Sequence, residues 1–140
     1  MNYRIIFHIL GWVLNLQGIF MLLPCLVGVI YKEYHDALIY LILSIICTLI
    51  GILLRKIKQK SSTFFAKEGF VAVSFSWIIL SITGALPFVL NGDIPSFTDA
   101  LFEIISGYTT TGSSILTDVE ALSHANLLFR SFSHWIGCRR

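Results

Sequence analysis

Tyr108-Thr109-Thr110-Thr111-Gly112-Ser113-Ser114 is the stretch of this 140-residue chain whose residue types and order suggest chemistry. Three threonines and a glycine in succession are poor helix formers, and what they offer in common is exposed backbone. The carbonyl oxygens of an extended Thr/Gly segment can point to one axis and replace the hydration shell of a cation. Gly112 permits a backbone conformation, or an approach to neighbouring chain, that a Cβ would forbid. Other chemistries fit less well. Ser113 and Ser114 with His124 lack a positioned acid and a nucleophile elbow, which argues against a hydrolase. His124 and His134, taken with Asp118 or Glu120, match no metal-ligand spacing and have no cysteine partner, so they read as interfacial histidines. Cys25 and Cys47 sit in apolar runs as buried thiols, and the odd count with Cys138 excludes a disulfide framework. No enzyme activity and no cofactor are expected.

The segments on either side give the threonine run its context. Asn91-Gly92-Asp93 reads as a turn. Ser96 is a candidate N-cap, with Asp99 three residues on in the S-x-x-D form of a capping box. The apolar residues Ala100, Leu101, Phe102, Ile104 and Ile105 then predict a helix over about 97–107, stopped by Gly107. At about 1.5 Å per residue it crosses only half a membrane. Non-helical backbone is tolerated at membrane depth only where protein packs against it or it lines a watery cavity. In that setting the negative end of a half-helix dipole would face a cation. The Thr-Thr-Thr-Gly run alone suits a surface loop. The order of helix, turn, half-helix, Thr/Gly segment and new helix favours a pore loop.

Composition demands a membrane. The chain is 56% hydrophobic and only 13% charged, with a mean hydropathy of +0.80, whereas soluble domains carry about 25% charged residues. A net charge of +2 points to no anionic partner and no nucleic acid. Residues 5–31, 37–54 and 69–92 hold no Asp, Glu, Lys or Arg. Each is read as a span, since a bilayer core needs about 20 apolar residues. The first run is too long for a signal peptide and lacks a cleavage site. Arg55, Lys56, Lys58, Lys60 and Lys67 lie between the second and third runs and place that loop in the cytoplasm, with Arg4 and the N-terminus. Lys32, Glu33 and Asp36 then face outward. From residue 91 to 129 every charge is acidic: Asp93, Asp99, Glu103, Asp118 and Glu120. A solvated outer loop explains them, with a cation-gathering vestibule as the functional alternative. Asn15 and Gln17 in the first span, and the pairs Ala72/Ser76 and Ser81/Ala85 in the third, suit helix packing. Arg130 is either functional or snorkels to the interface.

The stretch Lys67 to Gly137 resembles the Trk/Ktr/HKT potassium-transporter superfamily, in particular its TrkH/TrkG-type membrane subunits. The resemblance rests on KEGFVAVSFSWIILSITGALPFVLNG, FTDALFEIISGYTTTGSSIL and HANLLFRSFSHWIG. Glu68-Gly69 opens an outer helix in that family, Gly84 to Phe88 ends it, A-L-F-E begins the pore helix, and T-T-T-G is the first filter segment. The resemblance implies an all-α integral membrane protein: an N-terminal two-helix hairpin (1–60), then a helix–pore loop–helix repeat (61–140). Within that repeat it implies an outer helix at about 69–90, a pore helix at about 97–107, a filter segment at 109–113 and an inner helix from about 125.

The resemblance also implies potassium as the transported ion, bound by backbone of Thr109, Thr110, Thr111 and Gly112, the last three as its direct ligands. It implies a multi-pass protein of the bacterial inner membrane, surrounded by lipid. Its further partners would be the remaining pore repeats, a cytosolic nucleotide-binding regulatory subunit and a second copy in a homodimer. After Gly137 the family continues with a long helix, whereas Cys138-Arg139-Arg140 follow here. The inner helix is therefore expected to be truncated and the chain inactive alone. A small membrane scaffold without transport activity is the alternative.

Overall fold

The computed structural model describes residues 3–56 and 66–138, with the side chain of Val119 excepted. The element order is α1 (Tyr3–Ile30), α2 (Tyr34–Arg55), α3 (Ala66–Asn91), α4 (Phe97–Tyr108), a single 3-10 turn (Val119–Ala121) and α5 (His124–Gly137). Each charge-free run becomes a helix of membrane-spanning length, of 28, 22 and 26 residues. The reason is physical: in hydrocarbon a lone segment satisfies its own N–H and C=O groups only as a helix. The boundary drawn at residues 60 and 61 lies outside the described residues, as do Lys58, Lys60, Arg139 and Arg140.

Most large apolar side chains of these helices point outward. Ile30 is 74% exposed, Leu53 63% and Phe70 76%. A soluble protein could not carry so much contiguous apolar surface, and lipid accounts for it.

Helices α1 and α2 pack along their whole length through small residues. A Cβ on Gly11 would fall 2.7 Å from the Gly51 carbonyl, one on Gly18 would fall 2.5 Å from Thr48 Oγ1, and one on Gly28 would fall 3.1 Å from the Ala37 Cβ. Between these contacts Ser44 Oγ donates to the Gly18 carbonyl at 2.7 Å. Ala72, Ser76, Ser81 and Ala85 are all buried on α3, as their spacing suggested. The half-length helix α4 lies against both α3 and α5. A Cβ on Gly84 would come within 3.0 Å of Ile104, one on Gly107 would strike Ser133 Oγ, and one on Gly137 would lie 2.6 Å from the Tyr108 carbonyl. The core running between the hairpin and the later helices includes Met21, Tyr40, Phe88, Ile104 and Phe129.

Two expectations are corrected. Ser96 takes the N-cap position of α4 with extended backbone, but its side chain makes no capping hydrogen bond. A capping box normally closes through Glu or Gln, and Asp99 is one methylene shorter. Asp99 instead places a negative charge in the first turn, where it favours the helix dipole. The acidic residues, second, are not simply a solvated loop. Glu103 is 0% exposed, and Asp93 and Glu33 are engaged at the start of α5.

Candidate functional site

The site is built on the C-terminal end of α4. Thr109 closes the helix, its backbone N–H donating to the Ile105 carbonyl at 2.9 Å. The chain then reverses. Thr110 has φ +59° and Gly112 has φ +70°. For glycine that conformation costs little. For a β-branched residue it is an outlier worth about 1–3 kcal/mol, of the kind that collects at functional sites. Local bonds hold it: Thr110 N–H donates to the Gly107 carbonyl at 3.2 Å, and Thr110 Oγ1 donates to the Thr109 carbonyl at 2.6 Å.

Ser106 organises the rest of the turn. Its carbonyl accepts from Thr111 N–H at 3.1 Å and Gly112 N–H at 3.4 Å, and its hydroxyl donates to the Ser113 carbonyl at 2.5 Å. Thr109 Oγ1 donates to the Ile105 carbonyl at 2.7 Å and lies 2.9 Å from Thr111 Oγ1. Among the described residues no hydrogen bond ends on the carbonyls of Thr110, Thr111 or Gly112. Residues 109–115 are exposed. The turn thus offers three consecutive carbonyl oxygens without protein partners, beyond the negative end of a 12-residue helix.

Glu103 anchors the far side of the loop. Its carboxylate accepts from Ser114 Oγ at 3.1 Å through both oxygens and from Ile115 N–H at 3.1 Å. It also pairs with Arg130 Nε from α5. Arg130 keeps 16% side-chain exposure, so it neither snorkels to the interface nor stands alone. Buried charge is tolerated when it is paired and hydrogen-bonded, and here one carboxylate ties α4, the loop at Ser114–Ile115 and α5 together. Sequence reasoning placed Glu103 among outer acids. Its helical position on the face of Ala100, Ile104 and Gly107 was the available signal.

The N-terminal hairpin supports the same unit. Gln17 on α1 and the Tyr108 hydroxyl, one residue before the threonines, are paired with a 3.2 Å separation from Gln17 Nε2. At the start of α5, Asn126 is fully buried. Its Oδ1 accepts from the Tyr40 hydroxyl at 2.5 Å and from Asn91 Nδ2 at 3.2 Å, while its Nδ2 donates to Asp93 at 2.7 Å. Asp93 also accepts from Ser123 N–H at 2.9 Å.

Glu33, in the α1–α2 turn, accepts from the backbone N–H of His124 at 3.2 Å and of Ala125 at 3.3 Å, capping α5 across the molecule. His124 Nδ1 lies 2.9 Å from the same carboxylate, and its ring stacks on Tyr31 with centroids 4.1 Å apart. Partial burial raises the Glu33 pKa, and the hydrogen bonds from His124 and from the Ala125 backbone, with the charge of His124, outweigh that and hold it below the ordinary glutamate value. His124 is therefore a structural contact. Among the described residues no group of three or more His, Cys, Asp or Glu is placed to hold a metal ion.

Comparison with known proteins supports the fold. A family model described as "Cation transport protein", TrkH, matches residues 38–139. An uncharacterized cation transporter of Methanocaldococcus jannaschii is 38% identical over 94% of this chain and 27% of its own length. The Trk system potassium uptake protein TrkH of Salmonella typhimurium is 33% identical over 98% of this chain and 29% of its own length. The crystal structure of the potassium transporter TrkH from Vibrio parahaemolyticus superposes with a TM-score of 0.86 at 31% identity, covering 98% of this chain and 30% of that one. The chain thus spans less than a third of the length of these relatives.

Proposed function

The chain belongs to the TrkH family of cation transport proteins, and on that premise we propose that it supplies the first pore loop of a potassium-uptake subunit. Thr109, Thr110, Thr111 and Gly112 form its filter segment. The carbonyls of Thr110, Thr111 and Gly112 ligate the ion. The observation that carries this reading is the run of unpartnered carbonyls on an exposed, left-handed turn at the end of a half-length helix. Carbonyl ligation of a cation needs such oxygens, held in place by the surrounding protein before the ion arrives. Ser106, Glu103 and Arg130 supply that rigidity.

The remaining readings follow from it. One pore loop provides one side of an ion path, so the loops of the remaining pore repeats that the resemblance implies complete it, and the chain alone conducts nothing. The Arg55–Lys56 end of the hairpin faces the cytoplasm of a bacterial inner membrane, with the N-terminus on the same side, by the positive-inside rule. The complete subunit works as a homodimer gated by a cytosolic nucleotide-binding regulatory subunit. Asp99, Asp118 and Glu120 are the acidic groups left to draw cations to the outer mouth.

A chimera tests the proposal. This chain replaces the matching 139-residue stretch of Salmonella typhimurium TrkH in a bacterium lacking its own potassium uptake. Growth at limiting potassium with the chimera, and none with the chain alone, is the expected result. A chimera that reaches the membrane intact yet carries no potassium refutes the filter assignment and favours a non-transporting scaffold.

A further inference from the structure

We propose that the Arg55–Lys56 end of the α1–α2 hairpin binds one acidic phospholipid, its phosphate-bearing headgroup held by Arg55 and Lys56 in a cavity that His8 also lines, and one acyl chain laid in the groove beside Trp12. The inference needs the membrane placement of the hairpin and is independent of the filter.

Two cavities meet there. The first, of about 310 Å³, is lined by His8, Ile52, Arg55 and Lys56. The second, of about 290 Å³, runs past Trp12, Leu16, Ile19 and Thr48 and shares Ile52 and Arg55 with the first. From Trp12 to Ile19 the groove extends about 10 Å along α1, at about 1.5 Å per residue. One end is cationic and the other apolar, which is the profile of an anionic lipid.

The polar end is poised for an anion. The Arg55 guanidinium sits 4.0 Å from the centroid of the Trp12 ring. Stacking fixes its plane and leaves its N–H donors at the edge for phosphate oxygens. Among the described residues no carboxylate forms an ion pair with Arg55 or Lys56. His8 Nδ1 is buried and has no hydrogen-bond partner among the described residues. A phosphate diester supplies acceptors for the N–H donors of Arg55 and Lys56.

The apolar end lies at lipid depth. Trp12 is 55% exposed, Leu16 54% and Ile19 59%. An exposed tryptophan near a basic helix end marks the headgroup level, so the charged cavity sits where a phosphate would be and the groove where its chain would be. A soluble phosphate would use the first cavity and leave the second empty.

Native mass spectrometry of the full chain, purified with equal amounts of phosphatidylglycerol and phosphatidylcholine, is the test. The expected result is preferential retention of phosphatidylglycerol. Arg55→Gln and Lys56→Gln are each expected to lower that preference about fivefold, the factor that follows from the usual worth of one basic residue at an anionic surface. Lys67→Gln removes the same charge from α3 and should leave the preference unchanged. Leu16→Trp, which fills the groove, should weaken phosphatidylglycerol retention while leaving the weak binding of inorganic phosphate alone. Equal retention of the two lipids, or an effect of Lys67→Gln as large as that of Arg55→Gln, overturns the proposal. Displacement of the lipid by inorganic phosphate at comparable concentration also overturns it, by assigning the cavity to a free anion.

Discussion

Arg130→Met keeps the length of the side chain and removes the cation that faces a fully buried carboxylate. Glu103 would retain Ser114 Oγ and Ile115 N–H, both at 3.1 Å, but those are neutral donors. Stripping one partner from a buried ion pair costs about 3–5 kcal/mol, and the 16% exposure of Arg130 places this pair near the lower end. A loss of about 3 kcal/mol lowers the melting temperature of a chain of this size by about 10 °C. Thermal unfolding of the detergent-solubilised chain reads that shift, and limited proteolysis between residues 109 and 118 reads the accompanying release of the loop. Glu103→Leu combined with Arg130→Met replaces both charges by apolar groups and should recover about 2 kcal/mol relative to the sum of the single changes, because no buried charge is left unpaired. A melting point unchanged by Arg130→Met, or a double variant whose loss equals that sum, would refute the view that this pair anchors the loop.

Two further outcomes follow from the packing. Gly18→Val sets a branched side chain where even a Cβ would lie 2.5 Å from Thr48 Oγ1; separating the α1–α2 seam is expected to cost about 2 kcal/mol or more, seen as lower thermal stability, and an unchanged melting point would contradict the seam. Glu33 has a folded pKa below its ordinary value of 4.5, so its contribution is fully present above that value and is lost as pH falls through the lower folded pKa. It amounts to about 0.5–1 kcal/mol, as for a charge at a helix N-terminus, and Glu33→Gln should flatten the acid limb of a stability-against-pH curve, which an unaltered limb would disprove.

What the sequence disclosed, and what it hid, divides by the range of the interactions. Spans declare themselves through charge-free length, which is a local property, and α1, α2 and α3 begin and end within three residues of those runs. The half-helix α4 was legible from its apolar residues, and the threonine run from the order of its neighbours; Gly107, expected as the stop, instead lies inside the helix, which runs on to Tyr108, and its missing Cβ makes room for Ser133. The supports of the site were not. Glu33 reaches His124 and Gln17 reaches Tyr108, each 91 positions away, and no local pattern reports such a pairing. Glu103 was misread because an acidic residue is usually solvated, and its partner Arg130 lies on a different helix. The close α1–α2 contact was hidden for another reason. Gly11, Gly18 and Gly28 meet Gly51, Thr48 and Ala37 on the facing helix, so neither helix carries the whole seam in its own sequence.

The central claim is that the Thr109–Gly112 turn lines a potassium path, and a matched pair of glycines tests it. Gly92 and Gly112 have φ of +83° and +70°, each with nothing within 4 Å of a built Cβ. Valine imposes about the same local strain at both, on the order of 1–2 kcal/mol, but only Gly112 lies in the turn. The measurement is rubidium uptake by the Salmonella typhimurium chimera carrying Gly112→Val or Gly92→Val, corrected for the amount of protein in the membrane. The account predicts near-normal uptake for Gly92→Val and a fall of more than about tenfold for Gly112→Val, the factor that corresponds to about 1.4 kcal/mol on the barrier. Equal uptake by the two variants would contradict it.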